Sequence, residues 1–217
     1  MLAPLSPTWT QALRRLLRHK GELWQWQIGE CLSQTHPGLE SHFYLVGSPE
    51  QLWANVCVSL SGQVGILGHV YVDPSRRGQG LARALLQQAV EGRDQQRLYL
   101  GCRPELEPLY AQVGFTRLSS GFMRRGQQPP PLSPHSRIER QSLTWRHWPL
   151  LVEWGAGQSE PKCLEGPVLT MLRTDPQAWV EVADGQVVNW SAAQGPGLGG
   201  ASPESGRLTH NSKGTRS

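Results

Sequence analysis

The sequence predicts an α/β chain built on one mixed sheet, and three observations carry that prediction. Apolar residues recur at helical spacing in some segments of the first 126 residues and alternate as in strands in others. Two strand-like runs meet at Ser61-Gly62, the signature of a hairpin and so of an antiparallel pair. The second of these runs enters a glycine-bearing turn, Arg77-Gly78-Gln79-Gly80-Leu81-Ala82, which opens directly into an apolar-striped helix. A chain of 217 residues can bury one good core, or one core and a small appendage.

Leu13, Leu16 and Leu17 mark a helix over roughly residues 8 to 19, and Leu23, Trp26, Ile28 and Leu32 a second one before Pro37. His42 to Val46, Leu52 to Leu60 and Gln63 to Val72 read as strands. A helix over 80–91, a strand over 97–102, a helix over 105–113 and strands near 115–118 and 121–125 complete this part. The run Gln127 to Pro134 contains four prolines and is an extended, stiff linker by composition. Beyond it, Ile138 to Trp145 reads as a strand, Trp148 to Trp154 and Val168 to Leu172 as helices, and Trp179 to Trp190 as a hairpin turning at Asp184-Gly185. From about Ala193 the chain turns to glycine, serine and charge, the composition of a disordered tail. The expected partition is therefore 1–126, a linker at 127–135, a small α/β unit at 136–192 and a tail at 193–217.

Composition excludes several classes. No run of 18 apolar residues is present, so no membrane-spanning helix is expected, and the N-terminus lacks the basic-then-apolar pattern of a secretion signal. Cys31, Cys57, Cys102 and Cys163 form no Cys-x-x-Cys, and Cys57 and Cys102 fall in apolar strands, which suits reduced thiols in a cytoplasmic setting. The net charge of +4 is modest. Arg14, Arg15, Arg18, His19 and Lys20 cluster as either a solvated helix face or a phosphate site. Without an aromatic-rich basic strand beside them, no nucleic-acid partner is expected.

The turn at Arg77–Ala82 is where chemistry concentrates. At a helix start several backbone N–H groups lack an intrahelical acceptor, and the helix dipole favours an anion there. Gly78 and Gly80 remove the side chains that would keep phosphate oxygens away. A mononucleotide loop would need Gly-Lys-Ser/Thr, whereas Leu81 and Ala82 follow the second glycine. A dinucleotide fingerprint would need glycine where Arg83 stands. The pattern that fits is Arg/Gln-x-x-Gly-x-Gly/Ala, met by Arg77, Gly80 and Ala82. A second segment, Leu109-Tyr110-Ala111-Gln112-Val113-Gly114-Phe115, follows about thirty residues on. With both in this order, residues about 8–126 resemble the GNAT superfamily of N-acetyltransferases. Strand, helix and hairpin after the linker resemble the opening of a second, degenerate GNAT-like half-unit, which the change at Ala193 would truncate.

The resemblance implies acetyl-CoA as acyl donor and no metal. The diphosphate would rest on backbone N–H groups of Arg77, Gly78, Gln79, Gly80, Leu81 and Ala82, with Arg76 and Arg77 adding charge. The pantetheine arm would pair with backbone groups of Val70 and Val72, and Tyr110 would give the departing thiolate its proton. Arg103 stands where the family often has asparagine. No carboxylate lies on the strand from Gln63 to Val72, and His69 is the titratable side chain there suited to take the amine's proton; a water chain or a distant acid is the alternative. Local alternation puts His69 and Tyr71 on one face and Val70 on the other. Gly65 and Gly68 suggest a bulge or a close backbone approach. Trp24, Trp26 and His42 are candidates for the acceptor pocket. The expected activity is acetyl transfer to a primary amine of a small molecule or peptide, by a monomer or homodimer with no membrane partner. The alternative is a non-catalytic acyl-CoA sensor or interaction module.

Overall fold

A computed structural model describes residues 5–191, and the tail expected over 193–217 lies outside them. Two helices come first: α1 (Pro7–Leu16), with Pro in its first turn, and α2 (Glu22–Ser33), which ends at Gln34 in the left-handed conformation ahead of Pro37. Strands β1 (Glu40–Gly47), β2 (Leu52–Ser61) and β3 (Val64–Val72) form an antiparallel meander. Helix α3 (Leu81–Val90) then crosses to β4 (Arg97–Gly101), which lies parallel to β3. A short helix α4 (Glu107–Ala111) and the strands β5 (Thr116–Ser119) and β6 (Phe122–Arg125) follow. The six strands order as β1-β2-β3-β4-β6-β5, a mixed sheet in a mixed α/β fold.

β2 is buried along nearly its whole length because both faces of the sheet are covered. On one face α3 packs Leu85, Leu86 and Ala89 onto Val56, Val58, Leu67 and Leu98. On the other, Leu13, Leu17 and Ile28 of the α1–α2 region cover the β1–β2 end. The β3–β4–β6 end of that face is covered by the C-terminal segment. This runs β7 (Glu139–Ser142), α5 (His147–Ala156), α6 (Glu165–Thr174), β8 (Trp179–Ala183) and β9 (Gln186–Trp190), with a three-stranded antiparallel sheet β7-β8-β9. Trp148, Leu151, Val152 and Leu169 share one apolar cluster with Val64, Ile66, Tyr99 and Phe122 of the large sheet. Glu153 of α5 accepts from Arg97 Nε at 2.6 Å, Arg97 Nη2 at 3.2 Å and the Tyr99 hydroxyl at 3.1 Å. The C-terminal segment therefore shares both core and polar contacts with the six-stranded sheet.

Two departures from regular geometry in the sheet shape the site. Register shifts between Asn55 and Cys57, so that the single residue Val56 faces His69 and Val70: a β-bulge. His69 takes up the irregularity with φ 52, and Asn55 Nδ2 donates to its carbonyl at 2.9 Å. Parallel pairing of β3 with β4 extends only from Val64–Arg97 to Ile66–Tyr99, after which the strands separate. The backbone edge of β3 beyond Ile66 is left without a strand partner on that side.

Candidate active site

The cavity above this gap is built from three elements. It has a volume of about 790 Å³ and is lined by Val70, Tyr71 and Val72 of β3, by the turn and first residues of α3 from Arg76 to Arg83, and by Arg103, Leu106, Leu109 and Tyr110 around α4, with His19 to Gly21 closing one side. That volume falls within the usual range for a bound cofactor-sized molecule.

The turn is shaped as an anion cradle. Asp73 accepts from the Ser75 backbone at 2.9 Å and from its hydroxyl at 2.6 Å, which fixes the exit from β3. Gly78 (φ 77) and Gly80 (φ 76) are both left-handed, a conformation that glycine adopts without steric cost. A Cβ at either would meet nothing within 4 Å, so the space before them is open. α3 has no side-chain cap and no acid in its first turn, and its first backbone bond runs from Ala84 to Gly80. The preceding donors have no competing group of the protein at hand. Arg77 donates Nε to the Val72 carbonyl at 3.2 Å, while the Arg76 guanidinium stacks 4.4 Å over the Trp53 ring. His19, Lys20, Arg83 and Arg103 add basic groups to the cavity wall.

Of the residues expected to hold the donor, Val70, Val72, Arg77, Gly78, Gly80, Leu81 and Ala82 line this cavity; Gln79 sits on the turn with its side chain exposed. Tyr110 also lines it. Burial raises the Tyr110 hydroxyl above its ordinary value, so it keeps its proton throughout the neutral range. Gly114 is left-handed (φ 89) and lets the chain turn back so that Phe115 N–H reaches the Tyr110 carbonyl at 3.2 Å.

The expectation for His69 is corrected. It does not line the cavity but lies under the bulge, its ring centroid 6.2 Å from that of Trp24, with Nε2 buried and unpaired. Burial, with Lys20 nearby, lowers its imidazole to about 3. A group that weakly basic is a poor proton acceptor near neutral pH. The acceptor-pocket expectation also changes. Trp26 packs on Trp145 at 5.0 Å within the core. His42 feels Arg93 at the end of α3, on a strand whose Tyr44 and Val46 face the α3 side. Trp24 alone of the three adjoins the bulge.

Of the basic run given as a solvated face or a phosphate site, the structure brings His19 and Lys20 to the cavity, and Arg103, at the position where the resembled family often has asparagine, lines it as well. Sequence reasoning missed Glu165. This carboxylate of α6 accepts from Gln27 Nε2 at 3.4 Å and stands 3.9 Å from where a Cβ on Gly68 would be. No local signal marks it, because the fold brings it to β3 from beyond the linker.

Sheet, gap and turn define an α/β domain with a basic cavity at the N-terminus of α3. Residues 40–129 match the family model for the acetyltransferase (GNAT) domain, and both sequence segments that carried the resemblance lie inside the match. Among solved structures, ElaA of Escherichia coli aligns at 20% identity over 56% of this chain and 92% of its own, with a TM-score of 0.43. An acetyltransferase of the GNAT family from Staphylococcus aureus aligns at 14% identity over 57% and 96%, with a TM-score of 0.46. The GNAT family N-acetyltransferase YhbS of Escherichia coli, in complex with CoA, aligns at 20% identity over 58% and 79%, with a TM-score of 0.44. No curated protein sequence matches the chain.

Proposed function

We propose that this protein transfers an acetyl group from acetyl-CoA to a primary amine. The observation that carries the reading is the joining of two features in one cavity: an open glycine cradle at the N-terminus of α3 and an unpaired edge of β3. A diphosphate suits the first, since the free N–H groups and helix dipole bind anions, and Arg76, Arg77, Lys20 and Arg103 supply positive charge. An amide-bearing arm suits the second, where backbone groups of Val70 and Val72 can pair with it as a further strand would.

The chemistry then falls to groups already in place. A β3 backbone N–H polarises the thioester carbonyl and holds the negative charge that develops on its oxygen. Tyr110, held in its protonated form by burial, donates to the sulfur as the carbon–sulfur bond breaks. The acceptor approaches from the side of Trp24 and α2, across β3 from α3. In this reading the acceptor is a small amine or a peptide amine.

Calorimetric titration of CoA and acetyl-CoA into the full chain tests this. Saturable binding is expected, weakened at least about 10-fold in Arg103→Ala with Lys20→Ala, and weakening with added salt as charge-assisted contacts do. Gly80→Val places a β-branched residue in the left-handed region at the cradle and is expected to abolish binding. Tyr110→Phe is expected to bind acetyl-CoA unchanged and to release CoA about 10²-fold more slowly. Binding without turnover on any amine would instead support the acyl-CoA sensor. No binding at millimolar coenzyme would overturn both.

A further inference from the structure

We propose that Glu165, delivered from the C-terminal segment to the underside of the β3 bulge, takes up the proton that the attacking amine loses; this rests on the acetyl-transfer reading above. β3 carries no carboxylate of its own. Where β3 and β4 part, each strand has a glycine on the same face, Gly68 and Gly101, and the loop into α6 occupies the room left by both missing side chains. Cys163 Sγ lies 3.1 Å from the place of a Cβ on Gly101, and Glu165 Oε1 lies 3.9 Å from that on Gly68. Glu165, the first residue of α6, thus sets its carboxylate beside Gly68, the residue that precedes the bulge, on the buried side of β3 and, like His69, behind rather than in the lining of the cavity.

The surroundings suit a proton acceptor rather than a structural ion pair. Glu165 has no salt-bridge partner within 4.0 Å among the described residues and is held by Gln27 alone. Gln27 is 1% exposed and leaves its own Oε1 unpaired, and His69 Nε2 nearby on β3 is unpaired as well. Buried polar atoms left open in this way call for a partner. Burial pushes the Glu165 carboxyl up to about 7, with the Gln27 bond and the Lys20 charge pulling the other way. The other titratable groups that feel it are Lys20 before α2, Cys31 of α2, Cys57 of β2 and the adjoining Cys163. Burial raises Cys163 to about 12 and keeps it a thiol, the Cys31–Cys57 hydrogen bond raises Cys57 and lowers Cys31, and burial lowers Lys20.

The step balances. The amine lone pair bonds to the carbonyl carbon, and the carbonyl pair moves onto oxygen under the β3 N–H. An N–H proton passes through water to the Glu165 carboxylate, the oxyanion pair re-forms the carbonyl as the carbon–sulfur bond breaks with its pair on sulfur, and Tyr110 protonates the sulfur. Solvent then restores both side chains. Atoms and charge are conserved from acetyl-CoA and amine to amide and CoA.

The test is the pH profile of CoA release from acetyl-CoA with an arylamine as acceptor, which is uncharged across the range and adds no limb of its own. Wild type is expected to show a rate that rises through pH about 7, as a base needed in its ionised form must. Glu165→Gln is expected to lose that limb and about 10²-fold in rate with unchanged CoA affinity, and Glu165→Asp to restore part of both. An unchanged rate and profile in Glu165→Gln would overturn the proposal, as would a fall in CoA affinity that accounts for the whole loss. If the arylamine is not acetylated, carbon-13 carboxyl spectra of the acetyl-CoA complex decide: the resonance missing in Glu165→Gln should titrate near 7, and titration in the ordinary carboxylate range overturns the assignment. Absence of CoA binding by wild type would count against acetyl transfer itself and is read separately in the same calorimeter.

Discussion

At the scale of single residues, burial keeps two histidines in their neutral forms. His69 and His147 are lowered by burial to about 3 and about 4. Below the ordinary histidine value of about 6.5 the unfolded chain then binds more protons than the folded one. The stability these neutral rings confer is fully present above pH 6.5 and is lost as the pH falls towards their folded values. Each contributes a slope of about 1.4 kcal/mol per pH unit in that window. Glu165 acts in the opposite sense, because its raised carboxyl favours the folded state below about 4.5 and loses that contribution as the pH rises through 7. His69→Asn removes one acid-sensitive group and places asparagine, which tolerates a left-handed backbone, at φ 52. Thermal denaturation of both proteins from pH 4.5 to 7.5 should show a shallower acid loss in the variant, and equal slopes would mean that His69 is protonated in the folded state. The cradle glycines and Tyr110 were legible as candidates because each sits inside a contiguous segment. Lys20 was legible only as part of a basic run, Arg103 only as a departure from the resembled family, and Glu165 not at all, since its place beside β3 is made by tertiary structure.

Among elements, β3 decides the geometry of the site, and its irregularity is supported from the neighbouring strand. Asn55 is fully buried, and its one hydrogen bond holds the His69 carbonyl at the bulge. Asn55→Leu leaves that carbonyl without its donor, at a cost of about 1–3 kcal/mol, and lets the strand relax towards regular pairing. The expected result is a lower melting temperature together with weaker acetyl-CoA binding, whereas a stability loss with unchanged binding would separate the bulge from the coenzyme site. Elements with local signals, the apolar spacing in α3, the hairpin at Ser61-Gly62 and the turn at Asp184-Gly185, were readable almost to their ends, whereas the helix expected over 105–113 is α4 at Glu107–Ala111, the strand expected over Ile138–Trp145 ends at Ser142, and the helix expected over Val168–Leu172 runs from Glu165 to Thr174. The bulge was announced only indirectly. Gly65 proves to be a close approach, where a Cβ would meet Leu60 and Leu98 side chains at 2.6 and 2.8 Å, and the bulge falls one residue beyond Gly68.

For the whole molecule, the matched segment at 40–129 depends on the residues C-terminal to the linker. The C-terminal segment covers Val64, Ile66, Tyr99 and Phe122, all at most 2% exposed, and its removal opens an apolar face across β3, β4 and β6. It also removes Glu153, the partner of Arg97 and Tyr99. Composition foretold the proline-rich stretch, and the tryptophans spread over 145–190 suggested a C-terminal half that closes the sheet, without any sign of which strands they would meet. A chain ending at residue 128 is accordingly expected to aggregate or to expose dye-binding apolar surface. Glu153→Gln in the full chain should keep the fold at reduced melting temperature, which separates the polar contact from the apolar one. A soluble truncation that binds acetyl-CoA with full affinity would show instead that the six-stranded sheet is self-sufficient. It would still lack Glu165, so its CoA release should follow the pH profile of Glu165→Gln rather than that of the intact protein.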